Sequence, residues 1–273
     1  MEIEDRSTWP RNFLEIATQK KQLIIAYHKF KKDIEFRSIK NVELRYNPPL
    51  NPFKAEYQEV IWQTEKLLKP NNFVAYHCTK LIDYEIENIK RNGMKILSKE
   101  LVQERLISAH QHGYLLKEEF DYLINSQDIN EILHNKHGVR TERICFFANC
   151  SLLRNDINGI YRFFRSWGGE GVYWGHENDK NIALTLKKLG TPCILICSIP
   201  VNDIEHYSSS LAERFFSNLI ASDIENPEPP SVFEMYIRRN LDASEIIEVV
   251  ELQTPKFCEL TDYNNWDKYY KDD

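Results

Sequence analysis

The stretch FVAYHCTK, residues 73–80, marks the point where the chain changes from helical segments to a mixture of strands and helices. Its β-branched and aromatic residues predict a strand. That strand carries His77 and Thr79 among apolar neighbours. A histidine in such a strand is usually a core residue whose hydrogen bonds are satisfied, and the alternative is that the strand forms the floor of a ligand site. The remaining sequence is needed to choose between these two interpretations.

The residues before this strand predict helices. Apolar residues recur at helical spacing among lysines over residues 11–40, and residues 53–70 form one amphipathic pattern that ends at Pro70. Between them, ELRYNPPLNP (43–52) interrupts the helix, because proline lacks a backbone donor and restricts the residue before it. We therefore expect residues 1–70 to form a helical extension.

Short strands and helices then alternate without the regular rhythm of a doubly wound sheet, which predicts an α+β fold. Residues 71–255 form the expected main domain, and residues 256–273 are an acidic, aromatic tail that the pattern does not place. The predicted strands are 73–79, 143–153, a strand that starts in GEGVYWG (169–175), 192–201, 232–238 and 245–252. The predicted helices are 81–94, most of 97–137, 159–167, 177–190 and a stretch near 208–222.

The bulk composition excludes several classes of protein. Hydrophobic residues make up 42% and charged residues 28%, as in an ordinary globular chain. A net charge of −6 argues against broad electrostatic binding to nucleic acid. No apolar run approaches the roughly 18–20 residues of a membrane span, and MEIEDRSTWP (1–10) lacks the features of a signal peptide. We expect a cytoplasmic protein without a membrane partner, and export without a cleaved signal stays open.

Neither disulfides nor a metal site is indicated. The six cysteines are scattered through apolar runs without a CxxC pair, which predicts reduced, buried thiols. HQH (110–112) and HNKH (134–137) have metal-like spacing but no obvious third ligand, so we predict no metal. GGEG (168–171) lacks the spacing of a dinucleotide fingerprint, and there is no P-loop. A nucleotide would have to be bound by other means.

Three short motifs follow one another along the chain. The first is His77-Cys78-Thr79, followed by a helix that ends near Gly93. The second is GEGVYW (169–174), followed by a helix and the apolar run PCILICSIPV (192–201). The third is FEMYI (233–237), in which Glu234 enters a strand after the loop NPEPPS (226–231). Three other glutamates compete for the role of Glu234, but they alternate with apolar residues as on the solvent face of a strand; they are Glu245, Glu248 and Glu251.

In this order the motifs resemble those of the ADP-ribosyltransferase superfamily, in the His-Tyr-Glu branch that includes the poly(ADP-ribose) polymerases and diphtheria-like toxins. The resemblance covers residues 71–252. It implies a split, mixed β-sheet core and NAD as a substrate, without a metal. It also implies ADP-ribosyl transfer to a protein or nucleic acid, by a toxin-like effector or an antiviral defence enzyme. The size of the chain and the lack of a recognisable regulatory domain favour mono- over poly-ADP-ribosyl transfer. The chain departs from the family at Cys78, where a glycine is usual, and in a longer helical insertion over residues 97–140.

The resemblance also implies a role for each motif residue. His77, Tyr173 and Glu234 would be catalytic, and His77, Cys78, Thr79, Gly171 and Tyr173 would contact NAD. Cleavage of the nicotinamide–ribose bond develops oxocarbenium character at the ribose carbon. Glu234 would stabilise that charge and hold a ribose hydroxyl. Tyr173 would stack on nicotinamide, His77 and Thr79 would bind ribose hydroxyls, and the main chain at Cys78 would hold the carboxamide.

Two alternatives stay open at this point. With water as the acceptor, the same residues would make an NAD glycohydrolase. Alternatively, the domain could be an inactive binding module with residues 1–70 as its partner surface, which Cys78 in place of glycine would favour. A separate inhibitory partner protein is a further open possibility. Arg238 and Arg239 lie just beyond the proposed catalytic strand, where an acceptor or a pyrophosphate could approach.

Overall fold

The computed structural model describes residues 1–134, 141–154, 160–206, 210–224 and 234–263. These residues form an α+β fold, as predicted, with thirteen α-helices and six strands. The helices are α1 (Arg11–Gln19), α2 (Lys21–Ser38), α3 (Val42–Tyr46), α4 (Lys54–Leu68), α5 (Asp83–Asn92), α6 (Lys99–Gln111), α7 (Lys117–Ile124), α8 (Gln127–His134), α9 (Tyr161–Arg165), α10 (Glu170–Tyr173), α11 (Ala183–Lys188), α12 (Leu211–Ile220) and α13 (Pro255–Thr261). The strands are β1 (Asn72–Leu81), β2 (Ile144–Phe147), β3 (Thr191–Pro200), β4 (Glu205–His206), β5 (Glu234–Ile237) and β6 (Ile246–Glu251).

The six strands form one sheet in the order β4-β5-β2-β1-β3-β6. Strands β2 and β5 pair along their whole length, from Ile144 opposite Ile237 to Phe147 opposite Glu234. Strands β3 and β6 also pair over most of β6. The pairs β1–β2, β2–β5 and β3–β6 are antiparallel, where the resemblance implied a mixed sheet. The first and third sequence motifs therefore lie on strands that are separated by β2 alone.

The pairing of β1 with β2 is much shorter. The register places Tyr76 opposite Phe147, and a continued antiparallel ladder would place Cys78 opposite Cys145. Instead, the main-chain oxygen of Cys145 accepts a hydrogen bond from the His77 side chain, with Nδ1 2.8 Å from the oxygen. A side chain thus replaces a ladder hydrogen bond, and the two strands part beyond Tyr76.

Two apolar clusters support the sheet and the helices that follow it. The sheet core joins residues of β1, β2, β3 and β6 to Phe164 of α9 and Phe257 of α13. Because Phe257 is buried there, the beginning of the predicted tail belongs to the core, whereas residues 264–273 lie outside the described part. The helical core joins residues of α6, α7, α8 and α11 to Trp167 and Tyr173. The predicted helical insertion after residue 97 is therefore packed around a core of its own.

The chain divides into two compact units. The first contains residues 1–73, 200–202 and 206–231, and the second contains residues 74–199, 203–205 and 232–273. The first unit thus includes α12, a segment that the sequence boundaries assign to the main domain. The cause is aromatic packing: the Phe216 ring of α12 stacks on Phe13 of α1, with the ring centroids 5.7 Å apart, and Phe215 meets Trp9 edge to face.

The prediction of a strand at GEGVYWG is wrong. Gly168 and Gly169 both have positive φ angles, and the Gly169 oxygen accepts hydrogen bonds from the backbone amides of Val172 and Tyr173. These local bonds turn the chain into the short helix α10, which a 3-10 turn continues from Trp174 to His176. The predicted strand over residues 143–153 is also too long, because β2 ends at Phe147 and a 3-10 turn follows at Cys150–Arg154.

One helical prediction needs a smaller correction. The helix expected over residues 177–190 is regular only in α11, because the Asp179 side chain accepts a hydrogen bond from the backbone amide of Asn181 and so favours a turn. The loop NPEPPS and the first residue of the third motif, Phe233, lie outside the described residues. Within the described part, no helix has both the length and the apolar character needed to cross a membrane.

Gly93, the residue after α5, packs directly against the main chain of a distant segment. Its φ is +82°, and a Cβ at this position would lie 1.9 Å from the main-chain oxygen of Leu241. Gly113 has a similar φ of +78° but no heavy atom of the described residues within 4 Å of such a Cβ. We expect Gly93→Ala to lower the free energy of unfolding by about 3 kcal/mol or more, and Gly113→Ala by about 1 kcal/mol, the cost of φ alone. Urea unfolding of both variants measures this, and equal losses would contradict the close approach.

Lys80 fixes β1 to two helices. Its buried ammonium group donates hydrogen bonds to the main-chain oxygens of Arg165 and Lys187, at the ends of α9 and α11. Burial lowers the pKa of Lys80 from 10.5 to about 8. A neutral amine still has two N–H donors, so deprotonation keeps both hydrogen bonds.

We therefore expect the free energy of unfolding to rise between about pH 8 and pH 10.5, because the unfolded chain there still binds the proton that folded Lys80 has lost. The gain is at most about 3 kcal/mol. Burial raises the pKa of the Cys78 thiol, which acts in the opposite direction at alkaline pH. Urea unfolding across this range should therefore compare the wild type with Lys80→Met. In this variant we expect no such rise in the free energy of unfolding, because the titrating amine is absent. Parallel profiles would contradict the prediction.

Candidate functional site

A cavity of about 260 Å³ lies in the second unit, at the opening between β1 and β2. Consecutive residues of both strands line it, 77–79 from β1 and 144–147 from β2, and Arg143 just before β2 also contributes. Successive side chains of a strand point to opposite faces, so a cavity lined by consecutive residues follows the edges of the strands. Helices α5 and α6, the turn before α10 and Glu234 of β5 supply the other walls.

His77 makes a hydrogen bond within the sheet and also lines the cavity. Because a carbonyl oxygen only accepts, the bond to Cys145 requires the proton of His77 to be on Nδ1. Burial lowers the pKa of His77, and the charge of Arg105 lowers it further, whereas the bond to Cys145 raises it. The imidazole is therefore neutral near pH 7, which leaves Nε2 as a hydrogen-bond acceptor. This is the form needed to accept a hydrogen bond from a hydroxyl group.

The side chain of Cys78 points away from this site. It is buried in the sheet core, beside Tyr76 and Ile194, whereas strand alternation places His77 and Thr79 on the opposite face. Cys78 also lines the cavity, and with its side chain in the core it presents its main chain there. A cysteine in place of glycine at this position therefore does not fill the cavity with a side chain.

Glu234 is the first residue of β5. It pairs with Phe147 of β2, which in turn pairs with Tyr76 of β1. Two strand spacings of about 4.8 Å place its backbone roughly 10 Å from β1. Cross-strand partners share a face, so Glu234 and His77 belong to opposite faces of the sheet. Both residues nevertheless line the cavity.

A buried ion pair closes the opposite wall. Glu85 of α5 accepts a hydrogen bond from Arg105 Nε at 2.5 Å and from the indole nitrogen of Trp167 at 2.7 Å. Arg105 Nη1 also donates to the main-chain oxygen of Gly168 at 3.2 Å. These bonds connect α5, α6 and the glycine turn around the cavity.

The described residues that line the cavity include neither Tyr173 nor Gly171. Tyr173 is buried in the helical core. Gly171 packs against α6, where an added Cβ would lie 3.2 Å from Leu97 Cδ1. The structure thus brings together His77, Thr79, Glu234 and the main chain of Cys78. Of the residues of the second motif, only Gly169 and Glu170 are among the described residues that line the cavity.

The remaining charged candidates have structural partners. Arg238 pairs with Glu205, with both carboxylate oxygens 3.1 Å from Nε, and Arg239 pairs with Asp203 and Glu245. His110 and His112 contact main-chain oxygens through Nδ1. Among the described residues, no group of three His, Cys, Asp or Glu side chains could hold a metal ion. Most of HNKH lies outside the described residues.

Glu85 and Arg105 were missed from the sequence. An acidic residue in the first turn of a helix normally caps it, and Glu85 does accept a hydrogen bond from the amide of Ile82. Arg105 is one of several charged residues in a polar helix, and no spacing distinguishes it from its neighbours. Only the packing of Trp167 beside both residues identifies them.

Comparisons with family models, with curated proteins and with solved structures find no match to this chain.

The neutral state of His77 predicts a pH dependence. We expect the free energy of unfolding to fall as the pH drops below about 6.5, because the unfolded histidine binds a proton there while folded His77 stays neutral. The loss continues until the lowered pKa of folded His77 is reached. In His77→Asn, whose amide can still donate to Cys145, this part of the profile should disappear. Urea unfolding between about pH 5 and pH 7 measures it, and an unchanged slope would disprove a lowered pKa.

Proposed function

We propose that this protein is an NAD-dependent mono-ADP-ribosyltransferase, a toxin-like effector or defence enzyme that acts in the cytoplasm. It would transfer ADP-ribose from NAD to a protein or nucleic acid and release nicotinamide. The observation that carries the proposal is that His77 and Glu234, from the first and third motifs, line one cavity at the open edge of β1 and β2. The reaction is inferred from the resemblance of the motifs, and the cavity is the site at which we propose that it takes place.

The residues at the cavity suit the steps of such a reaction. Neutral His77 accepts a hydrogen bond from a ribose hydroxyl through Nε2, and main-chain groups at Cys78 hold the carboxamide. When the bond between ribose C1′ and nicotinamide breaks, its electron pair stays on the ring nitrogen, and C1′ gains positive charge. The Glu234 carboxylate stabilises that charge. The acceptor then forms a bond to C1′ and gives up a proton.

The buried position of Tyr173 changes one part of this scheme. Its ring belongs to the helical core, so stacking of Tyr173 on nicotinamide requires α10 to move. Four aromatic residues are nevertheless among those that line the cavity, namely Tyr84, Phe146, Phe147 and Phe163. In this scheme, nicotinamide would stack on one of them instead of on Tyr173.

A partner-binding role is the second candidate, because the first unit exposes a group of large apolar residues. On α2, α3 and the loop after them, relative exposure ranges from 63% for Val42 to 88% for Leu50. Phe36, Ile39 and Tyr46 are exposed between these limits. An exposed apolar cluster often marks a site of protein interaction. An inhibitory partner or another protein would cover it, whether or not the second unit is an enzyme.

The test is turnover of labelled NAD in the presence of cell extract. We expect wild-type protein to release nicotinamide and to label a macromolecule. Glu234→Gln should lower the rate by about 100- to 1,000-fold, because the amide cannot stabilise positive charge. Glu248→Gln is the matched control, since Glu248 lies on β6 in an exposed ion pair with Lys256. Its rate should equal that of the wild type.

The outcomes separate the candidates. Nicotinamide release without transfer of label would identify a glycohydrolase. If the wild type neither binds nor consumes NAD, the proposed transferase is wrong and the partner-binding role is favoured. Equal losses in the Glu234 and Glu248 variants would remove Glu234 from the catalytic residues.

A further inference from the structure

Arg105 brings a cation to the cavity that the reaction scheme above does not use. Its Nε binds Glu85 and its Nη1 binds the Gly168 oxygen. Its Nη2 is buried and has no hydrogen-bond partner among the described residues. A buried donor without an acceptor costs free energy, and Arg105, which carries this donor, is one of the residues that line the cavity.

The side chain is held firmly in place. Both oxygens of Glu85 accept hydrogen bonds, Oε1 from Arg105 and Oε2 from the Ile82 amide and the Trp167 indole. The Arg105 guanidinium carbon also lies 5.1 Å from the centre of the Trp167 ring. With two of its nitrogens fixed, the planar guanidinium has a set orientation at the cavity wall.

The described lining of the cavity contains three cations and four carboxylates, and a space lies beside one of the cations, Arg105. A Cβ added to Gly169 would meet, among the described atoms, only Arg105 Nη1, at 4.0 Å, so the glycine turn leaves room beside the guanidinium. The charge of Arg105 acts within the cavity, since it helps to lower the pKa of His77. Lys95, another cation at the cavity, is engaged by Glu104, with Nζ 2.6 Å from the carboxylate.

We propose that Arg105 binds the pyrophosphate of NAD through its guanidinium group, which makes α6 the phosphate-binding wall of the cavity. This assignment rests on the proposed function. The ribose next to nicotinamide is joined to the base on one side and, through C5′, to phosphate on the other. His77 holds that ribose and the main chain at Cys78 holds the carboxamide, so a cation near His77 fits the phosphate side. Arginine and phosphate form charge-assisted hydrogen bonds of well-defined geometry.

Two variants of the same ion pair test the proposal, because they should act in opposite directions. Arg105→Met removes the donor and its charge. Glu85→Gln keeps Arg105 but removes the neighbouring negative charge. The probes are ADP-ribose, which has the pyrophosphate without nicotinamide, and nicotinamide, which has no phosphate. Isothermal titration calorimetry measures both affinities, and urea unfolding checks that each variant is folded.

We expect Arg105→Met to weaken binding of ADP-ribose by about tenfold or more and to leave binding of nicotinamide unchanged. Glu85→Gln should bind ADP-ribose at least as tightly as the wild type does. Added salt should weaken ADP-ribose binding less in Arg105→Met than in the wild type. If both variants lose both ligands, Arg105 has only a structural role and the proposal is wrong.

The outcomes also separate this proposal from the proposed function. If the wild type binds ADP-ribose and Arg105→Met binds it equally well, the phosphate assignment fails while the transferase survives. If the wild type binds neither probe, both fail. Should Arg105→Met not fold, Arg105→Lys decides, because one ammonium group cannot replace the planar fork at Glu85, Gly168 and a phosphate together. We then expect weaker ADP-ribose binding with unchanged nicotinamide binding, and equal affinity for ADP-ribose would overturn the proposal.

Discussion

The hydrogen bond from His77 to the main-chain oxygen of Cys145 links β1 and β2 at the point where their ladder ends. It satisfies a carbonyl group that the ladder no longer reaches, so the two strands can separate without leaving that oxygen buried and unpaired. If β1 and β2 paired over more residues, the opening between them would close. If the hydrogen bond from His77 were lost, the strand edges would be exposed. The two interpretations of His77 from the sequence, a satisfied core residue and a ligand-site residue, are therefore compatible. Its Nδ1 belongs to the sheet and its Nε2 is available to a ligand.

The helical insertion contributes helix α6 to the wall of the cavity. Helix α6 carries Arg105, and the buried bonds among Glu85, Arg105 and Trp167 connect this helix to α5 and to the turn at Gly168. A deletion of the insertion would remove one wall of the cavity and would leave the carboxylate of Glu85 buried without its cation. Such a charge is costly in an apolar environment. The insertion is thus part of the site.

Elements with a strong periodic pattern could be predicted from the sequence. Helix α4 and strand β3 lie within two residues of their predicted bounds, because long amphipathic and apolar runs leave few alternatives. Helix α10 could not be predicted, since GEGVYW has strand-like composition and the two positive φ angles before it direct the chain into a turn. The same turn places Tyr173 in the helical core. His77 and Glu234, which the motifs single out, both line the cavity, whereas Arg105 depends on a contact between distant segments that no local pattern records.

The orientation of Cys78 has a consequence for the dynamics of the protein. Its thiol is buried against the core, on the face of β1 that turns away from the cavity. A thiol-reactive reagent can reach it only when β1 separates from the core, so its rate of modification under native conditions reports the opening of this one strand. A molecule bound in the cavity would hold β1 closed and slow the modification, even if it never reacts. The residue that departs from the family motif thus provides a chemical reporter on the back of the proposed site.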